Sequence, residues 1–303
     1  LQNDQLIWQH DEVSLSYSFT SPSLLAGSRL SFKSPPLIWK SNADECSATT
    51  IVIISPVADD LLPILPLSKL LASKGLSVIA IAYGLLSTPS DDSVASQAER
   101  IVDLIDIRNV SSFIGYSYSG ILVNFLLSHF CESHHKGVII DTPNPALLHK
   151  EFSSISTNDS TYWFKQVCIR LLKSVDISES LTLKVLSNIE QSQLSIVDLI
   201  GDIRYMLIEL KAIPYSTAID DLLCWIEAAQ AQFKLFRDYS ICNNSNLIVF
   251  LKASLDLNHP FSELSWDDYC PNLRVVNVNA NHYSIVKSST INQYIDCLLE
   301  EIL

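Results

Sequence analysis

The chain has 303 residues, 48% of them apolar, and carries a formal charge of −13 at neutral pH. This length and apolar content bury a sizeable core without disulfide staples, and the negative balance argues against nucleic acid and anionic membrane as partners. No apolar run approaches the roughly 20 residues of a membrane span, and none has the layout of a signal peptide. The seven cysteines (Cys46, Cys131, Cys168, Cys224, Cys242, Cys270 and Cys297) are scattered and lack CxxC spacing. They read as reduced thiols of a cytoplasmic protein, with neither a metal site nor a disulfide framework. The chain begins at Leu1 and holds a single methionine, Met206. That is the pattern of a segment cut from a longer polypeptide, or of a removed tag.

Residues 1–45 are polar, with short alternations such as Val13-Leu15-Tyr17-Phe19, and end in SPPLIWKSNADE. They predict a leading segment with one or two edge strands. From Thr49 the pattern sharpens: TTIVIIS (49–55) is a continuous β-branched run of the kind buried on both faces of a parallel sheet. A helix over 66–74 stops at Gly75, and LSVIAIAY (76–83) is a second buried strand. SVASQAERIVDLIDI (93–107) predicts a helix with Ile101, Leu104 and Ile105 on one stripe and Ser93 as its cap. VSSFIGYS (110–117) is a third strand, 119–129 the helix after it, and KGVIIDTP (136–143) a fourth strand stopped by Pro143 and Pro145. Such alternation with short connections predicts an α/β fold: a mostly parallel central sheet with helices on both faces.

The alternation then lapses. Residues 146–240 carry helical patterns (161–174, 180–190, 193–211 and 217–238) and no strand pattern. NLIVFLKA (246–253) and NLRVVNVN (272–279) restore strands, and a helix over 288–302 closes the chain. Because the strands on both sides belong to one sheet, 146–240 reads as a helical lid insertion in a single domain spanning 1–303. Its apolar positions include Trp163, Phe164, Leu171, Leu172, Leu194, Leu207, Leu222, Trp225 and Phe233. Lys165, Arg170 and Lys173 on its first helix offer a landing site for an acidic partner.

Two of only seven glycines bracket a serine in Gly115-Tyr116-Ser117-Tyr118-Ser119-Gly120. A sharp strand-to-helix turn needs small residues two before and two after its apex, which Gly115 and Ser119 supply, and Gly120 lets the helix pack close. The apex, Ser117, then points out of the sheet's carboxyl edge, where open α/β sheets bind ligands. The backbone N–H of Tyr118 at the helix start would stabilise negative charge beside it. A tight turn that happens to carry a serine is the other reading.

A nucleophilic serine needs a base, and the base an orienting carboxylate. Asp141, in VIIDTPNP (138–145), follows the fourth strand, and His282, in NVNANHYSIV (277–286), follows the last. Both fall on the same edge as Ser117, in the order Ser…Asp…His. The remaining histidines follow no buried strand in this way: His134 and His135 lie on the opposite edge, His149 and His259 are in loops, and His10 and His129 have no evident partner. Asp256, in LKASLDLNHP (251–260), follows the penultimate strand and competes with Asp141 for the acid. Strand order alone leaves that choice open.

Over residues 47–303 the sequence resembles the type I thioesterase domains that end nonribosomal peptide synthetases and polyketide synthases, with animal fatty acid synthase thioesterases as distant relatives. The resemblance rests on IVIISPVAD (51–59), FIGYSYSG (113–120), VIIDTPNP and NHYSIV (281–286), with the helical lid between the last two. It implies the α/β-hydrolase fold and favours Asp141 over Asp256, because in that family the acid follows the strand after the nucleophile. It further implies backbone amides of Val57 and Tyr118 as the oxyanion hole. The implied substrate is an acyl or peptidyl thioester on a carrier protein's phosphopantetheine arm, released by hydrolysis or macrocyclisation, with no metal and no diffusible cofactor. This chain departs from the family in three places. PVADD lacks the usual glycines, Ser119 stands where the elbow's final glycine is usual, and Ala280-Asn281 replaces the glycine before the histidine. The alternatives are a stand-alone carboxylesterase or lipase with the same triad, and a catalytically silent hydrolase-fold protein that binds an apolar ligand.

Overall fold

A computed structural model describes residues 5–10, 13–18, 37–41, 50–56, 61, 63–82, 93–145, 159–174, 177–255 and 266–303. The described strands form one nine-stranded sheet. They are β1 (Gln5–His10), β2 (Val13–Ser18), β3 (Leu37–Lys40), β4 (Thr50–Ile54), β5 (Ser77–Ala82), β6 (Val110–Tyr116), β7 (Lys136–Ile140), β8 (Ile248–Ala253) and β9 (Leu273–Val278). Their spatial order is β2-β1-β3-β5-β4-β6-β7-β8-β9. From β5 to β9 every neighbour is parallel, whereas β3, β1 and β2 extend the sheet antiparallel beyond β5. The leading segment thus contributes three strands where one or two were expected. The additional one is β3, whose four residues are too few for alternation to register; Ile38 is buried and pairs with Ile81.

The β-branched run of β4 is explained by what lies on each side. Ile51 and Ile53 face one layer, built with Leu67 and Leu71 of α1 (Leu65–Ser73) and with Ile295, Leu298 and Ile302 of the C-terminal helix. Val52 and Ile54 face the other, built with Val94, Ala98 and Ile101 of α2 (Val94–Leu104) and with Ile121, Leu122 and Leu126 of α3 (Ser119–His129). A strand covered on both faces has no polar side to show, so its sequence carries no alternation. Ser93 caps α2, its Oγ accepting the Ser96 N–H at 3.0 Å.

The insertion is helical throughout its described part: α4 (Ser160–Ser174), α5 (Glu179–Gln191), α6 (Ile196–Glu209) and α7 (Ile219–Asp238). Its apolar residues pack mainly against one another. Phe164, Cys168 and Leu172 of α4 share a core with Val185, Ile189, Ile200, Ile203, Leu207, Leu222 and Ile226, separate from the two layers on the sheet. Among the exceptions, Leu194 stands 52% exposed, and Leu183, Val197, Tyr205 and Tyr215 are exposed as well. Lys165 is ion-paired with Glu190 across α4 and α5, and the side chains of Arg170 and Lys173 lie outside the described residues. The expected helix over 288–302 is two pieces, α8 (Ser288–Ile291) and α9 (Ile295–Ile302). Ser288, Ser289, Thr290 and Asn292 are weak helix formers, and buried Tyr294 turns at the break to donate to the Ile285 carbonyl at 3.1 Å. Among the described residues no helix is long and apolar enough to cross a membrane.

Where the chain leaves the insertion it is tied to α3 through a buried amide. Asn124 accepts from the Tyr239 hydroxyl at 2.9 Å and donates to the Cys242 carbonyl at 3.4 Å, while its own carbonyl accepts from Asn244 Nδ2 at 3.3 Å. Burial pushes the Tyr239 phenol well above its ordinary range, so the hydroxyl stays a donor. Removing one partner of a buried hydrogen bond leaves the other unsatisfied. Asn124→Ala is therefore expected to lower the unfolding free energy by about 1–3 kcal/mol, measured by urea denaturation. The double variant with Tyr239→Phe should lose less than the sum of the single losses, because both remove the same bond.

Candidate active site

The turn between β6 and α3 is shaped by steric exclusion. A Cβ on Gly115 would lie 2.4 Å from the Ser119 carbonyl oxygen, and one on Gly120 would lie 2.1 Å from Thr142 Oγ1. With both positions bare, α3 begins directly over the end of β6. Ser117 takes the apex at φ +56°, and Asp141 sits at φ +46°. Among the described residues only one further non-glycine residue, Lys211, has positive φ. Two neighbouring left-handed residues at the ends of adjacent strands mark backbone strain of the kind that gathers at functional sites.

Register brings the two together. Tyr116 and Ile140 are the last parallel partners of β6 and β7, so Ser117 and Asp141 are each the first residue beyond their strand. The Ser117 N–H donates to the Ile140 carbonyl at 2.8 Å, and the Asp141 N–H to the Leu251 carbonyl at 2.8 Å. Thr142 Oγ1 donates to the Ser117 carbonyl at 2.5 Å, and the Thr142 carbonyl accepts from the buried Trp266 indole at 2.9 Å. Ser119 spends its hydroxyl on the Ser55 carbonyl at 2.5 Å, which accommodates a serine where a glycine was expected. Tyr118 buries its ring and reaches Gln97 Oε1 at 3.2 Å, and its side chain makes no capping bond at the start of α3.

Asp141 divides its two oxygens. Oδ1 accepts the Ala253 N–H at 2.9 Å, and Oδ2 lies 2.7 Å from His282 Nδ1. The pair is largely shielded from water, with side chains 8% and 17% exposed respectively. A carboxylate only accepts, so Nδ1 carries the proton, and the lone pair of a neutral imidazole lies on Nε2. His282 belongs to a tight turn after β9. Asn281 Oδ1 accepts the N–H groups of Tyr283 at 3.1 Å and Ser284 at 2.9 Å, while Ser284 Oγ accepts the Asn281 N–H at 3.0 Å. This reciprocal box holds the turn that carries His282.

Of the residues singled out in the sequence, Ser117, Tyr118, Asp141 and His282 gather at the carboxyl edge of the sheet, whereas Val57 and Asp256 lie outside the described residues. His135 is buried on the opposite edge, with Nδ1 accepting the Glu132 N–H at 3.0 Å and Nε2 3.2 Å from the Ile107 carbonyl. Three residues escaped sequence reasoning: Thr142, Asn281 and Tyr116, whose hydroxyl donates to the His282 carbonyl at 2.8 Å. For Asn281 the signal was present, since Asn-x-x-Ser is a capping pattern. Burial pushes the thiols of Cys131 and Cys270 up to about 12 and that of Cys168 higher still, which removes all three as thiolate nucleophiles. Among the described residues no cluster of three or more histidine, cysteine or carboxylate side chains is arranged to hold a metal ion.

Losing the Asn281 amide would free the two N–H groups that fix the His282 turn. Asn281→Ala is expected to cost about 0.5–2 kcal/mol of stability and Asn281→Asp much less, both read from chemical denaturation.

No protein-family model matches the sequence, and no curated protein does. Among solved structures the chain is similar to a four-domain nonribosomal peptide synthetase bound to AMP and glycine, with a TM-score of 0.61 at 15% identity, over 82% of this chain and 19% of that one. It is similar to the NocB thioesterase domain in covalent complex with a fluorophosphonate nocardicin G analogue, with a TM-score of 0.54 at 14% identity, over 88% and 99% of the two chains. The enol-lactonase of Burkholderia xenovorans LB400 aligns with a TM-score of 0.53 at 12% identity, over 88% and 95%. Taken with the parallel sheet and its two helical layers, these likenesses establish that the chain has the α/β-hydrolase fold.

Proposed function

We propose that the chain is an acyl-transferring serine hydrolase of the thioesterase type, with Ser117 as nucleophile, His282 as base and Asp141 as the acid that orients it. The observation that carries this reading is the 2.7 Å hydrogen bond from His282 Nδ1 to Asp141, made beside the strained apex that presents Ser117. His282 Nε2 takes the Ser117 proton as Oγ attacks the thioester carbonyl. The oxyanion that forms is held by the Tyr118 N–H and, by the resemblance, that of Val57. Collapse expels the thiol, which takes its proton from His282. The acyl-enzyme is then released by water or by an amine or hydroxyl of the substrate itself, giving hydrolysis or macrocyclisation. Asp141 keeps the Nδ1–H tautomer throughout and stabilises the imidazolium.

The finer reading is that the thioester arrives on the phosphopantetheine arm of an acyl or peptidyl carrier protein, so that no cofactor of the enzyme's own is required. The resemblance in the sequence and the synthetase and thioesterase neighbours support it. Residues 146–240 would serve as a lid: the chain departs for them just past Asp141, and the apolar core of α4–α7 is their own, so they can shift without opening the layers on the sheet. Water exclusion by such a cover lengthens the life of an acyl-enzyme.

Ser117→Ala should abolish turnover of an acyl pantetheine thioester and prevent the acyl adduct seen by intact mass; an adduct that persists overturns the mechanism. Asp141→Asn forces the wrong imidazole tautomer and should approach a loss of about 10⁴ in kcat, whereas Asp256→Asn should fall far short of it.

A further inference from the structure

We infer that Tyr116 is a positioning residue that keys His282 to Ser117, an assignment that rests on the serine-hydrolase reading above. Tyr116 ends β6 immediately before Ser117 and is buried in the layer that also holds Ile285 and Val286, just beyond His282. It makes two different contacts with the histidine. The phenol donates to the His282 main-chain carbonyl at 2.8 Å. The ring lies against the imidazole, with centroids 5.2 Å apart and planes inclined by 30°.

These contacts supply what the carboxylate cannot. A single hydrogen bond from Nδ1–H to Asp141 sets the tautomer and one distance, but by itself it does not fix rotation of the imidazole about that bond. A flat ring against one face removes the swing, and the phenol holds the main chain from which the imidazole hangs. The direction of Nε2 is then fixed. Because Tyr116 and Ser117 share a peptide bond, the base is referenced to the nucleophile's own backbone, although Tyr116 and His282 are 166 residues apart in sequence. A space-filling aromatic would account for the burial of the ring, but not for a hydroxyl bonded to the main chain of this one residue. Geometry of this kind governs rate steeply, since a misplacement of about 1 Å can cost about a hundredfold.

The test compares the native chain with Tyr116→Phe and Tyr116→Leu. Tyr116→Met serves as a second non-aromatic variant of adaptable shape, should leucine compromise folding. Each is read by kcat and KM on an acyl pantetheine thioester, by the rate of labelling with a fluorophosphonate, and by melting temperature. Tyr116→Phe keeps the stacked ring and should lose less than about tenfold in kcat. The non-aromatic variants should lose about a hundredfold in kcat and label correspondingly slowly, with KM within about twofold of native and a cooperative melting transition retained at a lower temperature. Equal losses in the phenylalanine and non-aromatic variants, a loss borne by KM, or native labelling rates without the ring would overturn the assignment. A native chain that fails to label with the fluorophosphonate overturns the serine-hydrolase reading itself, and the assignment with it.

Discussion

α3 starts two residues after Ser117, and room for that start exists only because Gly115 and Gly120 present no side chain. The close approach of α3 to β6 and β7 is the constraint on which the rest of the edge depends. It brings Thr142 within reach of the Ser117 carbonyl and Ser119 within reach of the Ser55 carbonyl. The turn is thereby laced to β7 on one side and to the end of β4 on the other. A left-handed serine costs free energy wherever it occurs, and it persists only where its surroundings over-determine it. Here the Ser117 N–H, its carbonyl and the following helix are each held by a different neighbour.

Much of the architecture was legible because the sheet imposes a repeating demand. The run at 49–55 had to be apolar on both faces, and Pro56 then marked its end. Register did the rest for the site, since Ser117 and Asp141 are each one residue past strands whose last residues pair. What stayed hidden depends on partners remote in sequence. The four residues of β3 are a strand only because β5 lies beside them. The break at Asn292–Tyr294 follows from Tyr294 finding the Ile285 carbonyl, which no local pattern encodes. Thr142 and Tyr116 look like ordinary residues of a strand end until Ser117 and His282 are placed against them.

The insertion illustrates a different limit. Its amphipathic helices announced buried faces, but periodicity states only that a face is buried, not against what. Packing the same stripes onto the sheet or onto one another produces identical sequence patterns. The structure shows the second: α4, α5, α6 and α7 close around their own core. The end of the insertion is tethered at Tyr239 and Asn124 on α3. Apart from Tyr239 and Leu235, which also pack into the layer of α3, the insertion shares few of the apolar contacts that stabilise the sheet.

At 12–15% identity to the three solved structures named above, the chain keeps their fold. Ser119 and Asn281, which stand where the resemblance led to an expectation of glycine, follow one physical rule. Each contributes a polar atom that satisfies a backbone group nearby. Ser119 donates to the Ser55 carbonyl, and Asn281 accepts from Tyr283 and Ser284. A side chain that bonds the backbone limits conformational freedom that glycine leaves open, so the exchange stiffens the turns on which Ser117 and His282 sit. Gly115 and Gly120 had no such alternative, because the space at each is already filled by the Ser119 carbonyl or by Thr142.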